Sequence, residues 1–209
     1  MSASAKTPAR RKRVPRAERE RQMVEVAEQV FAELGYAAAS MDEIAERVGV
    51  SKPMLYEYFH SKEGLLLACI QSARGELREV TERAVVGAAT AEDALRRGLA
   101  AFFGFVRRRR QAWSLLRNEM ALAGTSAADE LEATRRQQTD LIAGVMGGYL
   151  AVSDPSRAQA SAEFVVGGCE RLAIWCEQDD EITPEVATDY AMDLLWGGVS
   201  HLAQDQSTR

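Results

Sequence analysis

Hydrophobic residues recur along this chain at the three-to-four spacing of amphipathic helices, and no segment alternates strictly as a half-buried strand would. Between positions 15 and 34 the stripe is Met23, Ala27, Val30, Phe31 and Leu34, and Gly35 is a natural stop. Ser40 opens a short helix with Met41, Ile44, Ala45 and Val48 inward, and Glu43 stands where a capping box needs it. Gly49 supplies a turn and Ser51 caps a third short helix. Pro53 is tolerated there because first-turn amides lack partners anyway. Leu55 and Phe59 point inward on that helix, which leaves Lys52, Met54, Tyr56 and Glu57 largely outside.

From Ser61 a long fourth helix carries Leu66, Ile70, Ala73, Leu77, Val80 and Ala84 on one stripe. A break near 87–90 precedes a helix opened by Thr90 and Asp93, with Leu95, Leu99, Phe102, Phe103 and Val106 inward. Further helices are expected at about 112–122 and, after a loop at 124–126, up to about 151. Ser153-Asp154-Pro155 and Thr183-Pro184 read as helix starts. The two helices they open are apolar over a wide arc: Phe164, Val165, Cys169, Leu172 and Trp175 on one, Tyr190, Met192, Leu194, Leu195 and Trp196 on the other. Such helices need two surfaces to bury against, the domain's own core and a second copy of the chain. Gly167-Gly168 and Gly197-Gly198 would allow close helix approach. The reading is all-α, without strand, repeat or long linker.

Composition narrows the class. At 209 residues, 46% hydrophobic and 27% charged, the chain has ordinary globular proportions. No apolar run reaches membrane-spanning length and the polar start lacks a signal-peptide stretch, so a cytoplasmic protein is expected. Cys69, Cys169 and Cys176 form no disulfide framework. Cys169 and Cys176 share a helix face two turns apart, too far to bond, and read as small buried residues. The net charge of −5 conceals an asymmetry: residues 1–62 carry 11 Lys+Arg against 9 Asp+Glu, and the remainder 15 against 22. Positive charge therefore gathers near the short helices, and phosphate attraction depends on local charge. Lys6, Arg10, Arg11, Lys12 and Arg13 make positions 1–13 a disordered basic arm, either a solubilising tail or a strap along phosphates.

A stubby third helix with a polar outer face suits the major groove of DNA. Its sequence, Gly49-Val50-Ser51-Lys52-Pro53-Met54-Leu55-Tyr56-Glu57-Tyr58-Phe59, is preceded by Phe31-Ala32-Glu33-Leu34-Gly35-Tyr36 and Met41-Asp42-Glu43-Ile44-Ala45 and followed by Ser61-Lys62-Glu63. Together these closely resemble the TetR family of bacterial transcriptional repressors. The resemblance implies an N-terminal three-helix helix-turn-helix domain, here 14–61, and a larger helical ligand-binding and dimerisation domain, 62–209. It implies a homodimer through the last two helices, on a near-palindromic double-stranded DNA operator, with reading helices roughly 35 Å apart. Carried over by position, Lys52, Pro53, Met54 and Tyr56 would face the major groove, and Ser40, Ser51, Tyr58 and Lys62 would contact phosphates. The chemistry fits: hydroxyls and amines suit phosphate oxygens, and Met54 suits a thymine methyl. The plain alternative for Tyr56 and Tyr58 is packing, and Glu57 is unexpected beside a polyanion.

Candidate lining for an effector pocket is Phe102, Phe103, Phe105, Trp113, Leu116, Met120, Met146, Phe164 and Trp175, each of which could equally be ordinary core. This set favours an apolar or amphipathic small molecule. Arg13-Val14-Pro15-Arg16, the 51–56 segment and Trp196-Gly197-Gly198-Val199-Ser200-His201 look similar to actinobacterial TetR-type regulators of fatty-acid and mycolic-acid synthesis, which respond to long-chain acyl-CoA. Multidrug-efflux repressors share most of the pattern, and a helical adaptor without DNA binding is the remaining alternative. Arg107, Arg108, Arg109 and Arg110 read as a solvated helix end favoured by the macrodipole, or as an anion site. An enzyme is not expected: His60 and His201 stand in no metal-ligand or triad spacing, Asp179-Asp180-Glu181 reads as a solvated cap region, and no cofactor or metal is implied.

Overall fold

The computed structural model describes residues 15–117 and 154–204 and, between them, positions 132, 136, 139, 140 and 142–144. The expected arm at 1–13, Met120, the loop at 124–126 and Met146 lie outside the described residues. Every element named among the described residues is a helix: α1 (Arg16–Ala38), α2 (Met41–Val48), α3 (Lys52–Phe59), α4 (Lys62–Val85), α5 (Ala91–Arg108), α6 (Arg110–Arg117), α7 (Pro155–Cys176) and α8 (Pro184–Gln204). The protein is all-α, as its periodicity predicts.

Capping chemistry sets most of the starts. Ser40, Ser61 and Thr90 accept hydrogen bonds from the amides of Glu43, Gly64 and Asp93, so each satisfies one first-turn donor. Asp154 does the same for α7 through Ser156. The expected capping box at Ser40 is half formed, because the Glu43 carboxylate turns instead to Arg47 at 2.8 Å. Ser51 occupies the N-cap of α3, but its side chain makes no cap hydrogen bond.

Two boundaries differ from expectation. Gly35 bends α1 at φ +75° rather than ending it, and the helix resumes as far as Ala38. Arg109, at φ −120° and ψ 46°, separates α5 from an α6 that begins at Arg110, two residues before the expected start.

Two apolar cores result. The first gathers Met23, Val30, Phe31, Ile44, Leu55, Phe59, Leu65, Cys69 and Ile70, so α1–α3 are closed by the opening turns of α4. The second gathers Leu77, Leu99, Phe103, Phe105, Trp113, Val165, Cys169 and Met192 from α4–α8. Helix α4 thus belongs to both. Helix α6 joins them as well: Trp113 packs in the second core, Leu115 in the first, and Leu116 against each.

Helices α7 and α8 keep an uncovered apolar face. Phe164 is 74% exposed and Leu194 80%, with Trp175 and Tyr190 about half exposed beside them. A Cβ added at Gly167, Gly168, Gly197 or Gly198 would meet nothing within 4 Å, so no close helix approach uses these glycines among the described residues.

Candidate nucleic-acid interface and effector domain

Helix α3 is pinned from beneath. Leu55 and Phe59 are buried in the first core, while Ser51, Lys52, Pro53, Tyr56 and Glu57 are exposed. Its polar side is therefore offered outward from a rigid base, as a groove-reading helix requires. The turn after it is tight. Ser61 N–H donates back to the Phe59 carbonyl at 2.7 Å, and His60 takes φ 63° and ψ −34°, close to the rare γ-turn of positive φ.

The expected contact residues divide by environment. Lys52 Nζ donates to Asp42 Oδ2 at 2.8 Å, and this bond to Asp42 raises the ammonium pKa and keeps it cationic. Both groups are exposed, so the pair is weak and exchangeable for a DNA acceptor. Met54 and Tyr58 are half-buried against α1: Arg19 reaches Met54 Sδ at 3.6 Å, and the Arg16 guanidinium lies 4.7 Å above the Tyr58 ring. Ser40 spends its hydroxyl on the α2 cap.

Lys62 carries a structural duty that the sequence did not announce. Its Nζ donates to the carbonyls of Tyr36 at 2.8 Å and Ala39 at 3.0 Å, and lies 4.5 Å over the Tyr36 ring. It ties the C-terminus of α1 to α4, and a phosphate would have to share it.

These two lysines should separate experimentally. Lys52→Ala is expected to leave urea stability unchanged while weakening DNA binding. Lys62→Met should lower stability by about 1.5–3 kcal/mol, because charge-assisted bonds to backbone carbonyls are lost. Equal stability of the two variants in urea melts would overturn this division.

Arg16 and Arg19 were missed as candidates. They stand in the opening turns of α1, where the helix dipole disfavours cations. No acidic partner meets either among the described residues. A pair of arginines three apart at a helix start, just after a basic run, is the signal that could have found them.

In the larger helical body, the structure brings together Phe102, Phe103, Trp113 and Leu116. Phe102 meets Phe103 and Trp113 edge-on at 5.1 and 5.5 Å, and Leu116 packs against the same core. Trp113 Nε1 is buried without a hydrogen-bond partner among the described residues, a polar handle in an apolar interior. Phe164 and Trp175 do not join this cluster. They lie on the outer face of α7, because the face bearing Ala158, Ala162, Val165, Cys169 and Ala173 is the one turned to the core.

The arginine run stays largely in solvent, with Arg107, Arg108 and Arg110 exposed where α5 ends and α6 begins, but two of these exposed members are paired. Arg107 and Arg110 both engage Asp180, at 3.4 and 2.7 Å, and their proximity holds that carboxyl below the usual range. Asp180 of the acidic loop is thus a counter-charge for one arginine of α5 and one of α6. Beside it, Phe103, Val106, Cys176 and Ile182 floor a shallow cleft edged by the two arginines. Arg109 turns the other way, toward Glu28 and Glu76. No cluster of metal-ligating side chains occurs among the described residues. Burial raises the Cys69 thiol pKa and pushes that of Cys169 up to about 12, which makes both inert packing groups. No helix among the described residues is long and apolar enough to cross a membrane.

A capped three-helix reading head fused through a shared helix to a larger helical body defines a helix-turn-helix regulator. Comparison with known proteins agrees. The family model for "Bacterial regulatory proteins, tetR family" matches residues 23–69, and that for "Tetracyclin repressor-like, C-terminal domain" matches 91–198. The chain belongs to the TetR family of bacterial transcriptional regulators. It is 29% identical over 195 residues, 93% of this chain and 89% of the relative, to the HTH-type transcriptional activator FasR of Mycolicibacterium smegmatis. A TetR-like transcriptional regulator from Rhodococcus sp. RHA1 superposes with TM-score 0.74 at 33% identity, over 90% of this chain and 99% of that one. The regulator FadR from Bacillus subtilis in complex with stearoyl-CoA shares the fold, with TM-score 0.74 at 18% identity over 84% of this chain and 96% of that one.

Proposed function

We propose that this protein is a homodimeric regulator that reads a near-palindromic operator with two copies of α3 and is released from it by long-chain acyl-CoA. The observation that carries DNA reading is the exposed polar side of α3, held out by a complete core beneath it. Lys52, Pro53 and Tyr56 enter the groove, and Ser51, Tyr58, Arg16 and Arg19 line its phosphate walls. Ser40 and Lys62 add phosphate contacts where their present bonds can be shared. The head comprises α1–α3 with the opening turns of α4, and the body the helices that follow.

Dimerisation is supported by the uncovered face of α7 and α8. Phe164, Gly168 and Trp175 fall on one side of α7, and Tyr190, Leu194 and Gly197 on one side of α8. Aromatic and leucine side chains beside glycines make a flat apolar patch of the kind that a second copy covers.

The acyl-CoA reading is supported by three observations: the fold accommodates stearoyl-CoA in a relative, the Phe102–Phe103–Trp113–Leu116 cluster is apolar, and Trp113 Nε1 offers one donor. Titrating operator-bound protein with stearoyl-CoA should release it at micromolar ligand, as followed by fluorescence anisotropy. Release by a cationic hydrophobic drug, with none by acyl-CoA, would transfer the protein to the drug-efflux reading. A second reading, that DNA binding switches transcription on, is favoured by the activator FasR among its relatives. A reporter driven by the operator distinguishes activation from repression.

A further inference from the structure

Glu28 sits on α1, in the reading head, with its side chain only 4% exposed. Its counter-charge comes from the body. Arg109 Nη2 lies 3.0 Å from Glu28 Oε2, across 81 residues of sequence. The same guanidinium serves a second carboxylate, since its Nε is 2.9 Å from Glu76 Oε2 on α4, although that N–H makes no aligned hydrogen bond. One cation therefore divides itself between two anions. The cost falls on Glu28, whose Oε1 is buried with no hydrogen-bond partner among the described residues. Arg109 owes its position to the break between α5 and α6, so any movement of that corner moves the guanidinium.

The charges acting on Glu28 are Arg109 from the corner, Glu76 from α4 and Glu25 one turn earlier on α1. The Cys69 thiol of α4 also feels it, and stays protonated. Burial pushes the Glu28 carboxyl up to about 7, against the pull of Arg109. A buried carboxylate that loses its cation favours taking up a proton, because an isolated buried charge is far more costly than a neutral acid.

We propose that Glu28, Arg109 and Glu76 form a proton-coupled latch between head and body. With the latch engaged, Glu28 is ionised and shares Arg109. With it released, Arg109 stays on Glu76 and Glu28 carries a proton. By linkage, acid favours the released orientation of the head and alkali the engaged one. The device rests on the DNA-reading function only for its consequence, that operator affinity follows head orientation. Glu28, Arg109 and Glu76 are positioning residues, engaged with one another across α1, α4 and the α5–α6 corner.

The test uses Glu28→Gln, which imitates the protonated acid. The variant should fold: a carboxyl whose native pKa is raised contributes stability that is lost as pH climbs through about 7, so its neutral form melts no lower than the parent at pH 8. Operator affinity of the parent should change by about three- to tenfold between pH 6 and pH 8. E28Q should show no such change, and at pH 8 should match the parent at pH 6. A second readout needs no DNA. Spin labels at Glu46→Cys in the head and Ala100→Cys in α5, in a Cys176→Ser background, should report a distance that shifts with pH in the parent. In E28Q that distance should stay at the parent's pH 6 value. Absence of operator binding at every pH would sink the DNA reading alone. A label distance indifferent to pH, or one that responds to pH equally in E28Q, would overturn the latch.

Discussion

A Leu194→Glu variant is expected to run as a monomer in size-exclusion chromatography with light scattering, and to lose about 100-fold or more of operator affinity. Leu194 is 80% exposed on the apolar side of α8, one turn from Tyr190. In a dimer built on this face its side chain would be buried against the partner. An unpaired carboxylate there costs far more than the leucine contact contributed. Because the residue is exposed in the protomer, the fold itself should be unharmed, and helicity and the protomer's own unfolding midpoint should be retained. The affinity loss follows from valency: two heads held at a fixed spacing bind a palindrome about 10²–10⁴ times better than one. Retention of the dimer mass at micromolar concentration would remove α7 and α8 from the interface. A monomer that kept full affinity would remove the palindrome.

Gly64→Ala should damage the reading head, although a residue-by-residue propensity rule favours alanine in a helix by about 1 kcal/mol. Gly64 lies in the first turn of α4. A Cβ there would stand 2.2 Å from the Phe59 carbonyl oxygen and 3.3 Å from Ser61 Oγ. The obstacle is backbone rather than a flexible side-chain tip. That carbonyl also holds the strained turn at His60 through the Ser61 amide. Room can be made only by shifting the end of α3, where Phe59 anchors the reading helix in the core. Overpacking of this kind costs about 1–3 kcal/mol. Operator affinity should fall further than stability at a temperature where both proteins remain folded, since the displaced element is the one that reads. A variant that melts above the parent, with unchanged affinity, would mean that the turn relaxes at no cost.

The two variants probe different kinds of information. The exposed leucine and its neighbours were legible in the chain, because two helices apolar over a wide arc cannot be satisfied by one core. The same local logic found the reading head. Caps act within three residues and helical stripes within four, so Ser40, Gly49, Ser61, Thr90 and Asp154 mark boundaries wherever the chain later goes. The outward face of α3 followed from the inward spacing of Leu55 and Phe59. What local spacing did not resolve was which aromatic side of α7 meets the core. Phe164 and Trp175 share an apolar helix with Val165 and Cys169, and composition alone does not rank the two faces.

The amino-acid sequence by itself determined that this protein is helical, that a capped three-helix head precedes a larger body, and that α3 turns its polar side outward. Each of these rests on interactions between residues a turn or two apart. Only the tertiary structure decided that Lys62 closes α1, that Gly64 has no space for a methyl group, and that the arginine run divides, with Arg107 and Arg110 facing Asp180 and Arg109 facing Glu28. The reason is reach. A long charged side chain selects its partner from whatever the fold brings within about 4 Å, and a backbone carbonyl becomes an obstacle only once the turn beside it is made. Such contacts are non-local and carry no periodicity, so no pattern along the chain records them.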